Sequence, residues 1–344
     1  MNDIIQKEKE FKIESIPEPE SIKDVVYSLM VNPNLSTINY FNDFSEQSIS
    51  PDSIGSSGTD EIGLFEIDLN GSLMAMSTHA LHHHLENDPK KAIEILISRA
   101  ARKMLCSGVT PIAVSAFLYH IDFASPNGQF IASDAKRGLE NAAKKFNLKI
   151  SDRKIRFDCF SQHALPTIII SMVGLVENRE LVTMHTFKRK GNNIFLIGRS
   201  VDDLGSSEYL EFYHRISDSP LPAFDIEAEL KIHDALKKLN KMDLIRSASP
   251  VGKGGLFFAL LRAAIPNGLG FDITSDAEIR LDSFLFGEAM GRILVDVEPE
   301  KEDEFVDVLT GMGIPFSTLG HVTRGEIRID DISFGFIDKM TDRT

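Results

Sequence analysis

The sequence I-F-L-I-G-R-S-V-D-D-L-G-S-S-E-Y-L, residues 194–210, joins an apolar run of β-strand type to a polar turn and then to a helix start. The turn before the helix consists of Gly205, Ser206, Ser207 and Glu208. Small residues at such a place let backbone N–H groups approach an anion at the positive end of a helix. The stretch therefore predicts a strand–turn–helix unit that handles phosphate groups.

A second turn of the same kind consists of Gly252, Lys253, Gly254 and Gly255, and it precedes the apolar run 256–265. Neither turn fits G-x-G-x-x-G or G-x-x-x-x-G-K-[ST], so the common nucleotide motifs do not explain them. Lys253 has two interpretations. It neutralises a phosphate as a point charge, or it is a solvated surface lysine. Two such turns favour a small phosphate-bearing ligand.

Composition narrows the class of protein. The chain has 344 residues, a length typical of about two domains, with 42% hydrophobic residues and a net charge of −14. The acid excess argues against a nucleic-acid partner. Cys106 and Cys159 form no C-x-x-C pair, residues 1–20 lack the pattern of a signal peptide, and no apolar run is long enough to span a membrane. We expect a cytoplasmic protein with neither nucleic-acid nor membrane partners.

Periodicity divides the chain into an N-terminal arm with a short helix (1–60) and two α+β domains (61–187 and 188–344). Ser21 is the expected N-cap of the short helix, and Asn70-Gly71 the expected hairpin turn. Strands are predicted over 63–69, 72–78, 111–119, 154–160, 166–175, 193–197, 292–297 and 315–319, and helices over 89–107, 133–146, 225–242, 254–264 and 301–311.

Five segments resemble, in order, the motifs of one enzyme family. Their sequences are R-A-A-R-K-M-L-C-S-G-V-T-P-I-A-V (99–114), P-T-I-I-I-S-M-V-G-L-V-E (166–177), D-D-L-G-S-S-E-Y-L (202–210), L-I-R-S-A-S-P-V-G-K-G-G-L (244–256) and L-F-G-E-A-M-G-R-I-L-V-D-V (285–297). They are similar to the C-terminal half of phosphoribosylformylglycinamidine synthase. That purine-synthesis enzyme belongs to the aminoimidazole ribonucleotide synthetase superfamily.

The resemblance implies an N-terminal sheet that pairs in a dimer to close a β-barrel, beside a C-terminal α/β sandwich. Because the larger synthases carry two such halves in one chain, it also implies a homodimer or pairing with a homologous half. The implied activity is an ATP-dependent amide-to-amidine ligation, with ATP and Mg²⁺ as cofactors.

The sequence departs from the family at the acids that hold magnesium. The family's T-D-G-N turn is Thr78-His79-Ala80-Leu81 here, its H-D pair is Ser249-Pro250, and the following S-D is Gly252-Lys253. His79 and Lys253 thus occupy the equivalent positions, while Glu288 remains as a candidate metal ligand. Neutral histidine is a poor Mg²⁺ ligand. We therefore carry two hypotheses, a synthase-like protein with a degenerate metal site and a catalytically inactive paralogue acting as a dimerising binding or scaffold module.

Three further groups of residues have a functional and a structural interpretation. His79, His82, His83 and His84 either bind a transition metal or form a polar loop. The basic residues Arg99, Arg102 and Lys103 are expected on a solvated helix face. Met74 and Met76 are expected in the core.

Overall fold

Two sheets organise the chain in the computed structural model, which describes residues 11–35, 62–66, 73–82, 84–156, 165–176 and 182–341. The strands are β1 (Gly63–Glu66), β2 (Leu73–Leu81), β3 (Thr110–Tyr119), β4 (Lys149–Arg156), β5 (Thr167–Val176), β6 (Asn193–Ile197), β7 (Ser247–Pro250), β8 (Gly270–Ile273), β9 (Ile293–Val297), β10 (Phe316–Thr323), β11 (Glu326–Ile329) and β12 (Ile332–Phe336). The α-helices are α1 (Ile22–Met30), α2 (Pro89–Cys106), α3 (Pro126–Lys145), α4 (Ile226–Lys241), α5 (Gly255–Ala264), α6 (Leu281–Phe286), α7 (Glu302–Met312) and α8 (Ile337–Thr341). Short 3₁₀ turns cover Ile13–Ser15, Ile265–Asn267 and Pro299–Lys301, and one π-helical turn covers Tyr209–Tyr213.

The first sheet has the strand order β1-β2-β5-β3-β4 and confirms an α+β N-terminal domain. β4 and β5 follow one another in the chain but do not pair with each other. β4 pairs in parallel with β3, while β5 lies between β2 and β3. The parallel pair follows from α3, since a helical crossover returns the chain in the direction of the preceding strand. The predicted Asn70-Gly71 turn lies outside the described residues.

One face of this sheet is covered and the other is open. Residues of β5 alternate, with Ile168, Ile170 and Met172 buried in the cluster formed with α2 and α3. On the opposite face Met76 is 44% exposed and Leu175 40% exposed. The expectation that Met76 lies in the core is therefore wrong for the single chain, because its position on β2 points away from the helices.

The second sheet has the order β12-β11-β8-β10-β6-β9-β7 and forms the middle layer of an α/β sandwich. Both β6 and β9 are almost wholly buried, as expected for central strands with helices on both faces. Ile194 and Leu196 pack in the cluster that contains α1, α5 and α6, whereas Phe195 and Ile197 pack in the cluster of α4 and α7.

The helix of the N-terminal arm, α1, packs against the second sheet. Ser21 caps α1 by accepting a hydrogen bond from the Asp24 backbone N–H, as predicted. Val25, Val26 and Leu29 are fully buried in the cluster that covers the C-terminal sheet. This docking carries the chain after α1 to the edge of the groove between the two domains. Among the described residues, no helix combines the length and apolar character needed to cross a membrane.

Candidate ligand-binding site between the two domains

A cavity of about 500 Å³ lies where the two domains meet, a size within the range of about 300–1,000 Å³ usual for small-ligand sites. One wall, the N-terminal wall, comes from the end of β2, the residues that follow it, and α2. The other, the C-terminal wall, comes from the two small-residue turns and Glu288. The sequence candidates that line it are His79, His82, His84, Ser206, Ser207, Glu208, Gly252, Lys253 and Glu288.

The backbone N–H groups of the first turn, residues 205–208, already donate hydrogen bonds to acceptors within the protein. Gly205 N–H donates to Asp203 Oδ1 at 2.8 Å, and Ser206 N–H donates to Ser219 Oγ at 2.9 Å. Ser207 N–H donates to the Leu204 carbonyl at 3.3 Å. These donors are therefore not free to cradle a phosphate. Ser206, held at φ +55°, instead directs its side chain to His84 across the cavity, with 2.8 Å between His84 Nε2 and Ser206 Oγ.

Glu288 clamps the two turns to each other. Its Oε1 accepts the Glu208 N–H and the Gly254 N–H, both at 2.9 Å. Gly254 and Gly255 have positive φ, and a Cβ at Gly255 would meet the Leu285 carbonyl oxygen at 2.5 Å, so glycine is required there. Burial raises the pKa of Glu288, and neighbouring Arg99 together with the two N–H groups offsets this only in part. A buried carboxylate thus occupies the helix entry predicted to receive a phosphate.

Glu208 is held by partners from three parts of the chain. Lys253 Nζ lies 3.1 Å from Glu208 Oε1, while Asn32 Nδ2 and Asn34 Nδ2 donate to Oε2 at 2.9 and 3.2 Å. Burial acts to raise the pKa of Glu208, but Lys253 and the two amides outweigh it and the pKa is lowered. The two asparagines were missed in the sequence because they lie in the loop after α1, 176 and 174 residues from their partner.

The histidines lie on the N-terminal wall. His79 Nε2 is 3.2 Å from Ser77 Oγ, and burial lowers the pKa of His79 to about 4, so the ring is neutral at pH 7. His83 lies outside the described residues. Within the described residues, no three His, Cys, Asp or Glu side chains lie close enough together to hold one metal ion. Metal binding by the histidine run stays a prediction.

The basic residues of α2 face the cavity and not the solvent, which corrects the sequence expectation. Arg99, Arg102 and Lys103 all line it, and Arg102 is 1% exposed. Arg102 Nε lies 3.3 Å from Glu229 Oε1 on α4, and Glu229 also bonds His233 at 3.1 Å. Cys106 lies at the same wall, where burial raises the pKa of its thiol to about 12, which makes it an inert residue of the wall.

Comparison with known proteins agrees with this arrangement. Residues 189–331 match the family model described as AIR synthase related protein, C-terminal domain. The phosphoribosylformylglycinamidine synthase subunit PurL of Alkaliphilus metalliredigens is 27% identical over 319 residues, which cover 92% of this chain and 43% of that protein. Over these residues the chain is similar to the AIR synthase-related family, and over most of its length it is similar to PurL. It spans about two fifths of the length of that curated relative.

Solved structures of PurL share the fold. Thermotoga maritima PurL complexed with FGAR matches with a TM-score of 0.73 and 13% identity, covering 94% of this chain and 54% of that one. The same protein complexed with ADP matches with a TM-score of 0.72 and 14% identity, over 93% and 52% of the two chains. At this identity the likeness establishes the mixed two-sheet architecture of a PurL-like chain.

The donor set of this cavity does not fit Mg²⁺. Magnesium takes near-octahedral oxygen ligands from carboxylates and water. Of the two acids retained from the motifs, Glu288 directs Oε1 at two backbone N–H groups and Glu208 is paired with Lys253. The cavity positions that replace the missing acids supply an imidazole and an ammonium group, His79 and Lys253. Within the part of the chain that the structure describes, this cavity therefore lacks the carboxylate set of a magnesium site.

Proposed function

We propose that the chain is a phosphoribosylformylglycinamidine synthase-like component of purine biosynthesis whose interdomain cavity binds a nucleotide. One observation carries the proposal. The end of β2, with His79 and His84, faces the Gly252–Gly255 turn across a single cavity. Two segments that occupy the places of family motifs, and that lie far apart in the chain, thus form opposite walls of one cavity.

The ligand chemistry is inferred from the relatives and from the lining. T. maritima PurL is described as complexed with ATP and with ADP, and the present chain shares its fold. Cations from both domains line the cavity, together with hydroxyl groups of Ser206 and Ser207. Guanidinium and ammonium groups bind phosphate oxygens, and hydroxyls hydrogen-bond a sugar or a phosphate.

A second candidate function is that of an inactive paralogue acting as a binding or scaffold module. It is favoured by the engagement of Glu208 and Glu288 in internal contacts, which leaves the ligation chemistry of the family without its metal ligands. Both candidates share the cavity, and they differ in whether nucleotide binds and is turned over.

Calorimetric titration of the full chain with ATP and ADP, each with and without Mg²⁺, tests the nucleotide proposal. Saturable binding below millimolar concentration supports it. No detectable heat of binding at millimolar nucleotide favours the binding or scaffold module. An assay for ADP release with formylglycinamide ribonucleotide, ATP and ammonia then separates an active ligase from a binding protein. Turnover above a no-enzyme control would contradict the inactive paralogue.

We also propose that the open face of the first sheet pairs with a second copy or a homologous half. Met76 and Leu175 lie exposed on that face, beside the partly buried Val173 that is opposite Met76. Light scattering is expected to give a dimer for the parent chain and a monomer for Met76→Lys. Phe336→Lys, at a similarly exposed position on the far sheet (51%), serves as the control and leaves the dimer intact. A parent chain that is monomeric at high concentration would contradict the pairing.

A further inference from the structure

The two walls of the cavity carry different charge. Among the described residues that line it, α2 contributes Arg99, Arg102 and Lys103 and no acid. The opposite wall adds Lys253 and Arg262, and its acids are Glu208, Glu211 and Glu288. Glu208 pairs with Lys253 and Glu288 offsets part of the charge of Arg99, so the described lining keeps five cationic side chains against three acids.

Arg102 shows that this wall has unmet hydrogen-bonding capacity. Its side chain is 99% buried, and its Nη1 has no hydrogen-bond partner among the described residues. Burial lowers the pKa of neighbouring Arg99; Glu288 acts to raise it, and the charge of Arg102 acts to lower it. Like charges held close together in a desolvated wall are costly, and an anion in the cavity relieves that cost.

Lys253 provides a cation that can change partner. Its side chain is 60% exposed and pairs with Glu208, whose own side chain is 8% exposed. Glu208 keeps two amide donors, Asn32 and Asn34, when the ammonium group leaves. The Lys253 carbonyl is meanwhile held by Arg262 Nη1 at 3.3 Å, so the backbone stays while the side chain moves.

We propose that this cavity binds a phosphate-bearing anion directly through its side-chain cations, without a divalent ion, and that Lys253 moves from Glu208 to the phosphate when the ligand enters. The inference rests on the proposed nucleotide function and deepens it. In this inference, Lys253 and the α2 arginines neutralise the negative charge of the phosphate. In a site with magnesium-binding carboxylates, the metal ion does so.

Titration calorimetry of the full chain in EDTA, repeated with excess Mg²⁺, tests the inference with ADP, ATP and inorganic pyrophosphate as probes. We expect dissociation constants in EDTA within about threefold of those in Mg²⁺. Lys253→Met is expected to weaken binding about tenfold or more, as for loss of one charge-assisted hydrogen bond. Lys136→Met is the matched control, because Lys136 is 58% exposed and also pairs with a glutamate, Glu140 at 3.8 Å. It is expected to change binding less than twofold.

The outcomes separate this inference from the proposed function. Binding that appears only with Mg²⁺ overturns the inference and leaves the nucleotide proposal standing. Pyrophosphate binding in EDTA without any ADP or ATP binding supports the inference and overturns the nucleotide proposal. No binding of any probe overturns both. Equal affinity of Lys253→Met and the parent chain, with circular dichroism confirming that the variant is folded, overturns the role of Lys253.

Discussion

The two walls of the cavity differ in how completely their polar groups are satisfied. On the C-terminal wall, Glu288 joins two turns through backbone N–H groups, and Glu208 collects a lysine and two asparagines. On the N-terminal wall, Arg102 Nη1 has no partner among the residues that the structure describes, and His79 is held neutral by burial. The C-terminal wall thus acts as a scaffold, whereas the N-terminal wall has a buried donor that the described part of the chain leaves unsatisfied.

The largest effect should come from the ion pair that fixes Arg102 in the N-terminal wall. Arg102 and Glu229 are each 1% exposed, so Glu229→Ala leaves a buried guanidinium without its counter-charge. We expect a loss of about 3–5 kcal/mol in the free energy of unfolding. Urea denaturation monitored by circular dichroism measures it.

The double variant Arg102→Met, Glu229→Leu is the control, because it removes both charges. It should be more stable than Glu229→Ala alone, since neither charge is left without a partner. If the double variant is no more stable than Glu229→Ala, the stranded charge of Arg102 is not what destabilises the single variant, and the contrast between the walls fails on this side.

A smaller loss is expected from the clamp in the C-terminal wall. Glu288→Ala leaves the buried N–H groups of Glu208 and Gly254 without an acceptor, which costs about 1–3 kcal/mol of the free energy of unfolding for each. We expect about 2–4 kcal/mol in total, the lower part of that sum, because the substitution also removes the cost of burying the Glu288 carboxylate. The same denaturation experiment measures this loss.

Glu288→Gln distinguishes a clamp from a metal ligand. The glutamine keeps an acceptor oxygen for the two N–H groups, so most of the stability should return. If instead both variants are as stable as the parent chain and differ from it only in Mg²⁺ binding, Glu288 is a metal ligand and the scaffold interpretation of this wall is wrong.

The sequence predicted the long elements of this fold better than the short ones. Helix α4 runs over 226–241 with Asp225 as its cap, against a prediction of 225–242, because its apolar positions recur at helical spacing. By contrast, β7, β8, β11 and α6 have four to six residues each and were not predicted. Segments of that length carry too little periodicity, and tertiary pairing decides their structure.

The candidate site shows a similar division. The motifs singled out Glu208 and Lys253 as ligand-binding candidates and Glu288 as a metal candidate; all three line one cavity, and their roles stay predictions. The expectation of a backbone phosphate cradle failed at the first turn because Asp203 and Ser219 supply the acceptors. The buried position of Arg102 could not be read from α2 alone, since it depends on α4 packing against it.

The smallest effect concerns pH and the histidine of the N-terminal wall. Burial lowers the pKa of His79 from 6.5 to about 4 in the folded chain. The unfolded chain therefore binds a proton between these values that the folded chain does not, and stability should fall as pH drops from about 6.5 towards 4. Because His79 keeps some contact with solvent, we expect this residue to account for about 1–2 kcal/mol of the loss in the free energy of unfolding.

Thermal melting of the parent chain and of His79→Gln across this pH range measures this contribution. The two should show the same pH dependence above pH 7, and the variant should lose less stability below 6.5. Parallel curves down to pH 4.5 would mean that His79 is protonated in the folded chain, in which case the N-terminal wall would present an imidazolium to a phosphate and the contrast in charge between the walls would be sharper than described.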